Sequence, residues 1–439
     1  MTGGGEATGR AVLEALGRAG FEEAEVYLKR GRSRRVVHGP GVRAATFHEE
    51  RGWAVRAATR RASMFASGTG SPTPDHPWPE PDGHPLRLPD PDVAGGGAPW
   101  NEPPDFESSL LGEGEALRLV EGVEERLARE VPGARLVAAV LEDGSSESEI
   151  ANRRGVAARW RSRVALLHLE ANRDGASAAV DLAEREARRF NPRAVAQRLA
   201  DRLTIAGAGA PAELPGRDRA PLILAPPLAA RLLAALRPYL VGARAADRAA
   251  PLRDRRGRVA SAAVTLIDDG RFPGGLLEAP VDGEGVPTRE VVLVEAGVYR
   301  QPLLAWHEAR PAEARASGCS RRASWRDLPA AGPTHLYLAP RRGAAVGDLL
   351  AEVARGYYLL DAAGPVSLDE ETATLEVPVC GFTLQSGAAV APVGSLVLST
   401  GVGTLLHGVQ AVARDLTFFP WDGMIGSPTV LVTGVELRG

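Results

Sequence analysis

The chain has 439 residues, 44% of them apolar and 24% charged, with a formal net charge of −3. That length predicts two or three domains rather than one core. The composition is that of a globular protein, and the near-neutral charge excludes a polyanion binder held by bulk electrostatics. Lys29 is the only lysine, so no P-loop or Schiff-base site can lie elsewhere, and the two cysteines, Cys319 and Cys380, lack the C-x-x-C spacing of a zinc ribbon or redox motif. No apolar run approaches the length of a membrane span. The opening MTGGGEATGR has no apolar core of the signal-peptide kind, so a cytoplasmic location is expected.

In chain order, residues 9–20 read as an amphipathic helix with Val12, Leu13, Leu16 and Ala19 on one face and Gly20 as its cap. Alternating runs follow at Ala24–Lys29 and Gly52–Ala58, with two more strand candidates between them at Arg34–Val37 and Gly41–Glu49, and Ala62–Ser67 completes an antiparallel meander. Residues 1–70 are therefore expected to form a small α+β unit. Eleven prolines and the triple glycine Gly95–Gly97 then interrupt residues 71–105, which read as a linker or surface excursion with Trp78 and Trp100 as docking points.

Residues 106–206 predict a second α+β unit. Its first helix, Gly114–Glu130, turns Leu117, Val120, Val123 and Leu127 inward. Strands are expected at Arg135–Glu142, Glu147–Asn152, Gly155–Arg161, Val164–Asn172 and Ala176–Leu182, and a closing helix starts at Asn191-Pro192 with Val195, Leu199 and Leu203 inward. A Gly/Ala/Pro linker covers 207–216. Residues 217–439 predict a larger, β-rich, barrel-like domain. It begins with a strand at Leu222–Ala225 and a helix at Pro227–Leu240, with Pro227 in the first turn. Further on, Val346–Ala354 reads as a helix, and strands are expected at Leu336–Leu338, Gly356–Leu360, Thr372–Pro378, Gly381–Leu384, Ser395–Ser399, Leu405–Val412 and Thr429–Leu437.

The stretch Val264–Tyr299 organises this last domain. Two apolar strands, Val264–Ile267 and Val291–Val294, carry acidic loops punctuated by glycine. Asp268 and Asp269 end the first strand, and Asp282, Glu284 and Gly285 occupy the second loop. Such loops make either a ligand-facing rim or a tight solvated connection. Their four carboxylates would also suit a hard cation.

Other chemistry is sparse. His48-Glu49 and His307-Glu308 have no second histidine one turn on, so neither completes H-E-x-x-H, and there is no G-x-S-x-G elbow. Gly401-Val402-Gly403 opens a helix-like run after a strand, but Leu406 stands where the dinucleotide fingerprint needs its third glycine. Only a backbone anion nest at Gly401–Thr404 is left. Cys319, within Ser317–Arg322, is either a thiol acidified by basic neighbours or a turn residue, and Cys380 reads as buried and inert. The basic runs Arg153-Arg154, Arg188-Arg189 and Arg253–Arg258 are balanced by nearby acids and lack interleaved aromatics, so no nucleic-acid partner is expected.

The order Asp268-Asp269, then D-G-E-G-V-P-T at Asp282–Thr288, then E-A-G-V-Y at Glu295–Tyr299, resembles the central signature of the TldD/TldE (PmbA) family, described both as modulators of DNA gyrase and as peptidases. Supporting motifs are A-E-V-Y-L at Ala24–Leu28, R-G-W-A-V-R at Arg51–Arg56, M-F-A-S at Met64–Ser67, C-G-F at Cys380–Phe382 and G-S-P-T-V-L-V at Gly426–Val432. The resemblance implies that TldD-like chains carry H-E-x-x-x-H on the helix after the first C-terminal strand, with a later cysteine as third zinc ligand. Here that helix offers Leu228, Arg231, Leu232 and Leu233, which cannot bind zinc. The chain thus resembles the TldE kind, with no metal or catalytic residue of its own. The resemblance implies a TldD-like partner that brings the zinc and the general base, and an unfolded or leader-bearing peptide as substrate. Activity is then expected only in the heterodimer. The alternative is a protein that binds peptide by strand addition without cleaving it. The proline-rich segment and the Ser-Gly-Cys-Ser at Ser317–Ser320, where the family more often has Ser-Thr-Gly, depart from the family pattern.

Overall fold

A computed structural model of the chain describes residues 4–90, 109–208, 218–309, 316–341 and 343–439. Helix α1 (Gly4–Arg18) leads into β1 (Glu23–Gly39) and β2 (Val42–Ala58), which pair antiparallel over their whole length, and β3 (Ser63–Thr69) adds to β2. The breaks expected within β1 and β2 do not occur, and the chain turns only at Pro40-Gly41, where Gly41 has φ +76°. The outer halves of both strands carry Arg, Glu and His on both faces. Apolar alternation stops there, but the backbone ladder continues. The inner halves bury Val26, Trp53 and Val55 against Val12 and Leu16 of α1.

Helix α2 (Glu113–Glu130) and strands β4 (Arg135–Asn152), β5 (Ala157–Arg173) and β6 (Ala176–Glu184) follow, closed by α3 (Pro192–Ala206). The four predicted apolar residues of α2 are buried, and Glu115 accepts from the Gly112 N–H to cap its start. Asn191 caps α3 by accepting from the Arg193 and Ala194 N–H groups. β4 and β5 are again single long strands; Gly144 lies inside β4 rather than in a turn. β4 pairs with β1 from Glu25↔Asn152 to His38↔Ala139, so the two α+β units share one six-stranded sheet of order β3-β2-β1-β4-β5-β6. Of the proline-rich stretch, residues 71–90 form a surface excursion. Trp78 packs edge-on to Trp53 at 5.9 Å, Gly83 bridges to Ser63, and Leu88 is buried. Residues 91–105 and 209–216 lie outside the described residues.

The C-terminal part is β-rich and curled into a half-barrel. It contains β7 (Leu222–Leu224), α4 (Pro226–Ala235), β8 (Leu266–Asp269) and β9 (Glu290–Glu295). β8 and β9 belong to a six-stranded sheet with Val298–Tyr299, His335–Leu338, Met424–Ser427 and Thr417–Pro420. β7 lies in an eight-stranded sheet built on the long hairpin Thr374–Gln385 and Ala388–Gly401. The helix expected to run to Leu240 breaks at Leu236, because Pro238 has no N–H for the Ala234 carbonyl; a short helix resumes at Arg237–Leu240. The strand expected at Leu405–Val412 is instead a helix, Val402–Gly408, followed by a strand at Val409–Val412. The helix buries Val402 and Leu405 on one face. Among the described residues no helix is long and apolar enough to cross a membrane.

Candidate functional site

The loop after β8 is the joint between the two halves of the molecule. Asp282 folds the turn: its carboxylate accepts from the backbone N–H groups of Glu284 (2.9 Å), Val286 (3.0 Å) and Ser320 (2.9 Å). Gly285 has φ +80° and lies so close to Val156 that a Cβ would come within 2.8 Å of its Cγ1. Glu284, 1% exposed, then reaches across to the N-terminal sheet. Its Oε1 accepts from Arg56 Nη1 (3.0 Å), and its Oε2 accepts from Ser320 Oγ (2.5 Å) and the Trp306 N–H (2.8 Å). Arg56 Nε and Nη2 grip Glu25 of β1 at 3.1 and 2.7 Å, and Arg322 Nη2 reaches the same carboxylate at 2.5 Å. His307 Nδ1 stands 3.3 Å from Glu284 Oε1.

Electrostatics fix the charge states. Burial alone would raise Glu284, but the His307 hydrogen bond and the Arg56 charge outweigh it and hold its carboxyl at about 2. The Glu284 hydrogen bond in turn raises His307. Burial, with the Glu284 charge beside it, pushes Asp282 up to about 7. Trp325 completes the joint: it is buried, and its ring covers Gly52 so closely that a Cβ there would lie 2.1 Å from Cε2.

Asp268 and Asp269 stand apart from this ion cluster, at the end of β8. Asp268 accepts from the Thr334 N–H (2.7 Å), and Asp269 from the Arg271 N–H (2.8 Å). Burial lifts Asp268 to about 7. All four carboxylates are buried, so the expected solvated connection is corrected to an interior one; their oxygens serve backbone N–H groups, a hydroxyl and a guanidinium. Among the described residues no three His, Cys, Asp or Glu side chains come together in a way that could hold a metal ion. The acidified-thiol reading of Cys319 is also corrected: burial and the charges of Asp268 and Asp282 raise its pKa. Cys380 is buried as expected, and burial takes it to about 11.

Gly318 sits in the departure from the family pattern. It has φ +70°, and a Cβ would lie 2.2 Å from the Pro287 carbonyl oxygen. Gly318→Ala combines a left-handed alanine with a backbone clash, so a loss of about 3 kcal/mol in urea unfolding is expected.

The helix that the resemblance marks for zinc is α4. Leu228, Leu232 and Leu233 are buried in the half-barrel core and offer no donor. Arg231 points the other way, into a second contact between the halves. Its Nη2 lies 3.0 Å from Asp181 Oδ2 on β6, its Nε lies 3.2 Å from Asp361 Oδ1, and its guanidinium lies 4.2 Å from the Trp421 ring centre. Trp421 Nε1 and His168 Nδ1 also bond Asp181, at 3.0 and 2.7 Å, and Arg202 pairs with Asp361 at 2.8 Å. Burial opposes the Asp181 charge, yet His168, Trp421 and Arg231 hold that carboxyl at about 2. Zinc does not fit here: the donors are absent, and the nearby carboxylates are already matched by guanidiniums. Sequence reading marked Arg231 but not Asp181, Asp361 or Trp421, and it missed the roles of Glu25, Arg56, Ser320 and Arg322. The motifs A-E-V-Y-L and R-G-W-A-V-R contain Glu25 and Arg56, and the stretch Ser317–Arg322 contains Ser320 and Arg322, but nothing local pairs them.

Comparison with known proteins places this geometry. A family model described as the PmbA/TldA metallopeptidase C-terminal domain matches residues 217–439. A curated relative named metalloprotease TldD homolog, from Buchnera aphidicola subsp. Schizaphis graminum, is 25% identical over 170 residues, 38% of this chain. The match spans only 35% of that relative, about a third of its length. The crystal structure of TldE from Thermococcus kodakarensis superposes with a TM-score of 0.83 at 19% identity, covering 98% of this chain and 100% of that one. A Thermotoga maritima structure whose name links it to modulation of a DNA gyrase gives 0.81 at 18% identity, with 99% and 100% covered. At such identities these structures establish the shared fold.

Proposed function

The chain belongs to the PmbA/TldD metallopeptidase family, and on that footing we propose that it is the TldE-like, non-catalytic subunit of a heterodimeric zinc peptidase. In this reading a TldD-like partner supplies the metal and the general base. This chain closes one side of a cleft that admits unfolded or leader-bearing peptides. A cytoplasmic location fits that role.

The observation that carries the reading is Arg231. On the helix where a catalytic relative is expected to offer histidines and a glutamate, this chain has leucines and one guanidinium bound to Asp181 and Asp361. Positive charge already fills the position, so the helix has no role for a cation. The test is purification alone and after mixing with a TldD-like chain from the same host. The expected result is no stoichiometric zinc and no hydrolysis of an unfolded peptide by the isolated chain, with hydrolysis in the mixture. Zinc bound one to one and cleavage by the isolated chain would overturn the proposal.

A further inference from the structure

The helix-bearing face of the N-terminal sheet is covered unevenly. α1 packs over Val26, Trp53 and Val55, and α2 with α3 packs over Val36, Leu141 and Leu167. Between them lie rows of charged residues, which share one face because directly paired residues of an antiparallel ladder point the same way. One row runs Arg161, Glu147, Arg30, Arg51 across β5, β4, β1 and β2. The next runs Arg163, Ser145, Arg32, Glu49, and the flanking rows add Arg159 beside Glu149 and Arg34 beside Asp143. The belt therefore holds seven arginines against four carboxylates, an excess of three positive charges.

The pairing inside the belt is incomplete. Glu147 is shared by Arg30, Arg159 and Arg161, and Asp143 takes Arg163. Among the described residues, Arg32, Arg34 and Arg51 have no carboxylate partner: Arg32 donates to Ser145 Oγ at 3.1 Å, and Arg34 lies over the Phe47 ring at 5.2 Å. Arg163 is fully buried, yet its Nε and Nη2 have no hydrogen-bond partner. Buried donors of that kind call for an acceptor. On the α1 side the belt adjoins a cavity of about 410 Å³ whose walls include Leu13, Val26, Leu28, Arg10 and Arg159.

We propose that this belt and cavity bind an acidic polypeptide segment in extended form. Alternate side chains along a strand stand about 6.7 Å apart. An extended peptide has the same repeat, so carboxylates at every second position fall in register with Arg30, Arg32 and Arg34. Guanidinium forks match carboxylates in paired hydrogen bonds, and the cavity takes an apolar side chain from the same segment. A single-stranded nucleic acid is less suited: of the two aromatics in these rows, Phe47 is already stacked by Arg34, and Trp53 is buried under α1 with Trp78 against its edge. The proposal goes beyond the subunit reading, since no bond breaks at the belt and binding needs no partner chain.

The test uses the full chain and a labelled peptide of about eight residues alternating Glu and Val, followed by anisotropy at about 50 and 200 mM salt. The Gln–Val counterpart and an oligothymidylate of equal charge serve as controls. The Glu peptide is expected to bind, to weaken with salt, and to exceed the Gln peptide about tenfold. The double variant Arg32→Ser, Arg51→Ser, at two exposed positions, is expected to bind about three- to tenfold more weakly with an unchanged unfolding midpoint. Equal binding of the Gln peptide, equal or tighter binding of the oligonucleotide, or unchanged affinity in the double variant would overturn the proposal. So would binding that emerges only after Asp92, Glu102, Asp105 and Glu107 are neutralised, which would assign the belt to the chain's own acidic stretch.

Discussion

Glu284→Ala is expected to lower the unfolding free energy by about 3–5 kcal/mol, the range for removing one partner of a buried ion pair. The loss comes from what stays behind. Arg56 would keep only Glu25 for its charge, while Ser320 Oγ and the Trp306 N–H would lose their acceptor in the interior. Glu284→Gln separates charge from shape, because an amide oxygen still accepts from Ser320 and Trp306; a loss near half as large is expected. The pH dependence has a definite sign. The folded carboxyl, at about 2, lies below its ordinary value of 4.5. Its contribution is therefore present above pH ~4.5 and is lost as pH falls toward 2. His307 works on the other side: its folded value is raised, so its smaller contribution is full below ~6.5 and fades as pH rises through the folded value. Urea unfolding of wild type and Glu284→Gln between pH 2.5 and 8 tests both. An acid limb that keeps its slope in the variant would mean that other carboxylates carry it.

The same residues mark where the sequence was readable and where it was not. α2 was legible because four apolar side chains at helical spacing have no other reading, and Asn191-Pro192 announced α3 by cap chemistry alone. β1 and β2 were read as fragments because their outer halves expose charge on both faces, so the period-two signal stops where the backbone ladder goes on. The joint was not legible at all as a pairing. Glu25 and Arg56 are 31 positions apart, Arg56 and Glu284 are 228 apart, and nothing local in three charged residues records that they meet. The D-G-E-G turn was visible as glycine and acid, yet its glycine proved to serve a close approach to Val156 rather than a solvated bend. Arg231 was legible only as the absence of a ligand, and its meaning came from two carboxylates 50 and 130 residues away.

Arg231→Leu is expected to cost about 2–3 kcal/mol, less than a fully buried pair because its side chain is 25% exposed. Asp181 would keep His168 and Trp421, and Asp361 would keep Arg202, so neither carboxylate is left bare. What disappears is the link that ties β6, α4 and the Trp421 loop together. Arg231→Lys keeps the charge but offers one point in place of a planar fork, so it cannot span both acids while stacking on Trp421; about half the loss is expected. A titration distinguishes this link from simple packing. The Asp181 hydrogen bond raises His168, while the Arg231 charge works against that rise. Without the guanidinium, His168 should titrate higher, and the stability it contributes, present below ~6.5, should persist to higher pH before fading. Imidazole proton shifts measured by NMR across pH 5–9 in wild type and Arg231→Leu would read this directly. Calorimetry with zinc on the isolated variant supplies the other arm. If the leucine variant is as stable as wild type and binds zinc tightly, the guanidinium was merely excluding a metal from a site the fold still builds, and the non-catalytic reading of this chain fails. If it loses stability and binds none, the charge on α4 is a structural tie between the two halves, and catalytic metal has to come from elsewhere.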